Sequence, residues 1–151
     1  MSESNQIIRL VYASIATFKP YSKMNSEDDS MVKANEYIAN IIEISRNENV
    51  KNQIVGVLFY GNGYFFQCLE GTQSSVEKLY AKLLKDSRHT DLKILTTHAI
   101  DKQGFSGWDL KFATINPEIR SFLKNHDMDS FNPYQFDPTM TDTLVEILQN
   151  V

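Results

Sequence analysis

Residues 54–71 read IVGVLFYGNGYFFQCLEG, and this stretch decides the fold. Two apolar runs, Ile54 to Tyr60 and Tyr64 to Glu70, meet at Gly61-Asn62-Gly63, and an Asn-Gly step between β-rich runs is the strongest local hairpin signal. Side chains alternate along a strand, so Phe65, Gln67 and Leu69 share one face of the second run. Tyr64, Phe66, Cys68 and Glu70 share the other. Gln67 thus interrupts a face that should be core. A buried primary amide is costly unless its donors and acceptor are matched, so Gln67 either finds partners within the protein or faces a polar ligand.

Working upstream, Met31, Ala34, Ile38, Ile41, Ile42 and Ser45 recur at three- and four-residue spacings and predict a helix with one face to the core. The cluster Asn47-Glu48-Asn49 should end it, with Asn47 or Asn49 as a left-handed C-cap. Before the helix lies a polar, acidic loop, Lys19 to Ser30, in which Ser26-x-x-Asp29 or Ser30 can cap its start. Ile7 to Ile15 is the first strand by its β-branched and aromatic content. Ile8, Leu10, Tyr12 and Ser14 fall on one of its faces, which makes Tyr12 a second polar-tipped group on a central-looking strand.

Downstream of the hairpin, Ser74-x-x-Glu77 reads as a capping box, and Val76, Leu79, Tyr80, Leu83 and Leu84 form the stripe of a helix to about Asp86. Strands follow over Lys93 to Ile100 and Trp108 to Ile115, separated by the loop DKQGFSG. Then come a short helix from Glu118 to about His126, an irregular segment with Pro133 and Pro138, and a last helix carrying Leu144, Ile147, Leu148 and Val151 on one side. The order predicts an α+β fold: a ferredoxin-like β-α-β-β-α-β core plus a fifth strand. Both core helices lie on one face of the sheet, and the C-terminal helices pack on the open face.

The 151 residues, 42% apolar and 23% charged, suit one ordinary domain, with no run long enough to span a membrane. The polar start MSESNQ shows no signal peptide, and a single cysteine, Cys68, fits a reducing cytoplasm. A formal net charge of −4 without a dense basic stripe argues against nucleic-acid binding. No Cys or His spacing suits a metal, and there is no phosphate loop, dinucleotide fingerprint or G-x-S-x-G. Cys68 lies on the face opposite Gln67 and reads as a small core residue.

The motifs L-V-Y-A-S at Leu10 to Ser14, I-x-E-x-S-R at Ile41 to Arg46, I-V-G-V-L-F-Y and F-F-Q-C-L-E-G in the hairpin, D-x-R-H at Asp86 to His89 and G-W at Gly107 resemble, in order and spacing, the BLUF photoreceptors. These domains sense blue light using flavin adenine dinucleotide. The resemblance runs from about Ile38 to Thr114, includes the first strand, and is to the short members with a helical tail and no attached enzyme. It implies a sensor domain over residues 1–116 and a helical extension over 117–151. It implies that Tyr12 and Gln67 point at a flavin held between the two core helices, that Asn49 bonds its carbonyl and amide edge, and that Ile41, Phe65 and Leu83 wall the ring. Glu48 stands where relatives have His or Asn, and an ionised carboxylate cannot donate as they do. Lys82 lies at a basic position, and Asp86, Arg88 and His89 lie near the mouth. Trp108 matches a signalling tryptophan, while Leu110 replaces a common Met.

The implied function is photosensory, without substrate turnover: light drives an electron and a proton from Tyr12, and Gln67 rotates or tautomerises. The cofactor would be FAD, with FMN as the alternative. The altered network would signal to an unknown downstream partner protein in a light-dependent way, and a homo-oligomer is left open. Two other classes compete, a cofactor-free ferredoxin-like regulatory or oligomerisation module and an acylphosphatase-like hydrolase. The acidic, Arg-free loop after the first strand disfavours the latter.

Overall fold

A computed structural model of the chain describes residues 6–17, 27–107 and 109–150, and of residues 27–37 the backbone alone. The elements are β1 (Ile7–Ala16), α1 (Glu27–Asn52), β2 (Val55–Gly61), β3 (Tyr64–Thr72), α2 (Gln73–Leu83), β4 (His89–Ala99), β5 (Lys111–Ala113), α3 (Pro117–Asn125), a 3₁₀ turn (Pro133–Gln135) and α4 (Pro138–Asn150). The five strands lie in the order β4-β1-β3-β2-β5; β5 runs parallel to β2, and the other pairs are antiparallel. This is the expected α+β arrangement, a ferredoxin-like sheet with one added edge strand. Among the described residues no helix is long and apolar enough to cross a membrane.

The hairpin forms as its sequence dictates. Asn62 and Gly63 both have positive φ, 53° and 81°, the requirement of the tight turn whose twist matches the flanking strands. Gly56 allows β2 to lie against β3, since a Cβ there would come 2.0 Å from the Cys68 carbonyl oxygen. Alternation then divides the sheet into two faces. One carries Leu10, Tyr12, Leu58, Phe65 and Leu69, packed against Ile38, Ile41 and Ile42 of α1 and Val76 and Leu79 of α2. The other carries Val11, Val57, Phe59, Phe66 and Cys68 under Ile119 and Phe122 of α3 and Leu144, Val145 and Leu148 of α4. Cys68 is buried, and burial raises its thiol pKa, as befits an inert core residue. On the same face Glu70, fully buried, accepts from Arg9 at 2.7 Å and from the Phe105 amide at 3.0 Å, which ties the loop after β4 to β3.

Several boundaries differ from the sequence reading. The helix α1 does not stop at Asn47-Glu48-Asn49 but continues to Asn52, and the left-handed residue is Gln53, φ 57°. The Ile54 amide returns to the Asn49 carbonyl at 2.8 Å and closes the end, so polar residues that weaken a helix are held by its C-terminal bonding. Thr72, not Ser74, caps α2, its hydroxyl accepting from the Ser75 amide at 3.3 Å, and the helix ends at Leu83. Strand β4 begins at His89, four residues before the expected Lys93. Strand β5 is only Lys111–Ala113, not Trp108 to Ile115, because side chains of α1 take the preceding carbonyls: Asn49 Nδ2 that of Asp109 and Arg46 Nε that of Leu110. Asn116 caps α3 and Pro117 opens it. The expected cap at Ser26, and the expectations for Trp108 and Val151, lie outside the described residues.

Candidate functional site

Tyr12 and Gln67 are direct partners in the β1–β3 ladder, and Leu58 faces Gln67 from β2. Register alone therefore sets the two polar tips side by side on the face under α1 and α2. The Tyr12 hydroxyl donates to Gln67 Oε1. Tyr12 is 1% exposed and Gln67 3%, and burial pushes the Tyr12 phenol well above its ordinary range, so it stays protonated and acts as the donor. With Oε1 engaged, Gln67 has its amide hydrogens to offer.

These residues floor a cleft between α1 and α2, with about 750 Å³ of empty space that is partly open to solvent. Ile41, Ile44, Ser45 and Glu48 line it from α1 at spacings of three, four and seven, together with Asn49. Leu79, Lys82 and Leu83 line it from α2, Leu58 and Phe65 from the sheet, and Asp86, Arg88 and His89 from the turn into β4. Asn49 is fully buried: its Nδ2 donates to the Asp109 carbonyl at 2.5 Å, while its Oδ1 has no partner among the described residues. Because α1 continues past Asn47, Asn49 is turned inward and not spent as a cap.

At the mouth, Arg88 grips Asp86 through Nε at 2.9 Å, a terminal nitrogen at 2.5 Å and its backbone amide at 2.9 Å. Those bonds hold the Asp86 carboxyl below its usual range and the Arg88 guanidinium above its own, so the pair is a fixed, charge-compensated fork. His89 meets the Leu83 carbonyl through Nε2 at 2.9 Å and Ser14 Oγ through Nδ1 at 2.8 Å. A carbonyl can only accept, so Nε2 carries the proton and Nδ1 accepts from Ser14. Burial lowers the His89 pKa and keeps the ring neutral. Lys82 Nζ reaches Glu48 Oε2 at 3.2 Å across the rim, but the Lys82 side chain is 64% exposed, and such a pair contributes little stability. Glu48, which also accepts from Asn52, presents acceptors only.

The structure thus brings Tyr12, Gln67, Asn49, Glu48, Ile41, Phe65, Lys82, Leu83, Asp86, Arg88 and His89 into one cleft. It does not place Leu110 there: that residue is buried behind the wall, against Leu58, Tyr60 and Phe65. Ile44, Ser45, Leu58 and Leu79 line the cleft beyond the residues that the sequence singles out. For three of them the signal was present, since Ile44 and Ser45 extend the Ile41 face of the helix and Leu79 lies three residues before Lys82. Leu58 required the pairing register.

The donor set fits a flat heteroaromatic ring. Ile41, Leu58, Phe65, Leu79 and Leu83 supply apolar walls, Gln67 supplies N–H donors, and the orphaned Asn49 Oδ1 offers an acceptor to a ligand N–H. A flavin ring carries both the acceptors and the imide N–H. Comparison with known proteins agrees. Residues 7–111 match the family model described as sensors of blue-light using FAD. Photoactivated adenylate cyclase subunit beta of Euglena longa is 31% identical over 106 residues, 70% of this chain and 11% of that protein. The blue light- and temperature-regulated antirepressor BluF of Escherichia coli (strain K12) is 29% identical over 89 residues, 56% of this chain and 21% of its own length. The chain therefore spans only a small part of the curated relatives it matches. Among solved structures, BlsA in its photo-activated state superposes with a TM-score of 0.81 at 32% identity, covering 96% of each chain. A cleft built for a flavin-like ring, a Tyr–Gln pair at its floor and these matches lead to one assignment: the chain belongs to the BLUF family of blue-light sensors.

Proposed function

We propose that this chain is a light-operated switch in which Tyr12 and Gln67 carry the photochemistry and the residues around them hold a non-covalent flavin. The observation that supports it most directly is the buried Tyr12–Gln67 hydrogen bond beside a cleft whose Asn49 Oδ1 lacks a donor. A bound flavin, FAD or its shorter relative FMN, supplies blue absorption and a one-electron acceptor. Tyr12 gives up an electron and its phenolic proton on excitation and regains both. In the interval its hydrogen bond to Gln67 Oε1 is lost, and the Gln67 amide is free to rotate or tautomerise and settle with different partners. Asn49 orients the ring, Ile41, Phe65 and Leu83 exclude water, and Lys82, Asp86, Arg88 and His89 hold the groups that leave through the mouth. Glu48, an acceptor tied to Lys82, works through that lysine rather than by donating.

Residues 1–116 act as the sensor and 117–151 as a cap over the far face of the sheet. Asn49 bonds the Asp109 carbonyl, so a change at the cleft reaches the segment holding Trp108 and Leu110 and passes to the cap. The chain turns over no substrate, works in the cytoplasm, and signals to a partner protein in a light-dependent way, with a second copy as the alternative recipient. Purified protein supplied with FAD should be yellow, and blue light should move its absorption reversibly to the red. A protein that takes up no flavin, or shows no reversible shift once loaded, refutes the proposal.

A further inference from the structure

Tyr12 has a second aromatic neighbour whose chemistry the switch does not use. The Tyr80 ring, on α2, meets Tyr12 edge to face, with centroids 5.6 Å apart and planes at 68°. The two residues belong to one packed cluster, yet their surroundings differ: Tyr12 is sealed, whereas Tyr80 is only partly buried at its margin. Oxidising a phenol is easier when its proton can leave. The Tyr12 proton is directed at Gln67 inside the protein, while Tyr80 is partly exposed, so its proton has the shorter way out to solvent. A hole formed on Tyr12 is therefore drawn outward to Tyr80, across a contact too short for distance to oppose the transfer.

We propose that Tyr80 is a secondary electron donor to Tyr12, which opens a side path that competes with the Gln67 rearrangement. The inference rests on the photochemical reading above. The oxidant is the photoexcited flavin, on which the electron from Tyr12 remains. Before the proton of oxidised Tyr12 leaves, Tyr80 passes one electron to it, and Tyr12 is restored with its proton still on Oη in the bond to Gln67. Tyr80 then releases its own phenolic proton to water and becomes a neutral tyrosyl radical. One electron has moved from Tyr80 to the flavin and one proton to solvent, and no bond between heavy atoms has changed.

As a structural element alone, Tyr80 would matter only as a ring packed against Tyr12. Tyr80→Phe keeps that ring and removes the phenol, so it separates the two roles. Flavin-loaded protein would be illuminated with blue light and frozen for electron paramagnetic resonance, with the red shift and the unfolding midpoint recorded on the same samples. The wild type should show a tyrosyl radical. In Tyr80→Phe that radical should be lost, the red-shifted state should form in higher yield, and the midpoint should not move. Tyr12→Phe should lose the radical as well, because the relay begins there. A radical undiminished in Tyr80→Phe, a radical on Tyr80 formed without Tyr12, or a wild type that shifts normally with no radical at all would each overturn the relay while leaving the switch intact. A wild type that binds flavin and never shifts removes the switch and the relay together.

Discussion

Tyr12→Phe removes a single oxygen from the hydrogen-bonded pair at the floor of the cleft. The ring remains, so its edge contacts with Tyr80 and His89 are kept and no cavity opens. What is lost is the donor to Gln67 Oε1, at a residue only 3% exposed. Leaving a buried acceptor without its donor costs about 1–3 kcal/mol. For a chain of this length each kcal/mol lowers the melting temperature by roughly 2–4 °C, so flavin-free Tyr12→Phe should melt about 2–12 °C below the wild type. Gln67→Leu removes the other partner, and a double-mutant cycle isolates the pair: coupling of at least about 0.5 kcal/mol is expected for residues in direct contact. The assay is thermal or urea unfolding of the four proteins, followed by flavin loading and blue illumination. Both single variants should bind flavin and fail to shift to the red. If the unfolding effects are additive within error, the hydrogen bond is not the coupling that the geometry implies. If either variant completes a normal light cycle, the switch does not run through this pair.

Two further outcomes follow from the rim of the cleft. Burial holds His89 below its ordinary pKa of 6.5, so the unfolded chain takes up that proton first; the folded state should lose stability as pH falls below about 6.5 and be insensitive to this group above it. His89→Gln should flatten that limb of the stability profile, and an unchanged acid limb would show that the ring is not held neutral. Lys82→Met should leave the unfolding free energy within about 0.5 kcal/mol, because the bridge to Glu48 is exposed, yet it should weaken flavin retention and make it less sensitive to salt. A larger loss of stability, or a salt dependence identical to the wild type, would contradict the view that this pair acts on the ligand rather than on the fold.

Local chemistry in the chain determined the hairpin, the succession of elements and the two faces of the sheet, because alternation and an Asn-Gly turn act over a few residues and leave few alternatives. The same alternation marked Gln67 and Tyr12 as polar groups on core faces, and the family motifs supplied the mouth at Asp86, Arg88 and His89. Element ends were less legible. Asn47 and Asn49 look like helix breakers in isolation, and only the bond from Ile54 back to Asn49 and the bonds from α1 to Asp109 and Leu110 decide that the helix continues and that β5 is short. That Tyr12 faces Gln67 directly, that Leu58 completes the wall and that Asn49 keeps an unmatched oxygen inside the cleft depend on strand register and helix packing. Residues far apart in sequence meet only when both are set, so the tertiary structure alone could make a site of them.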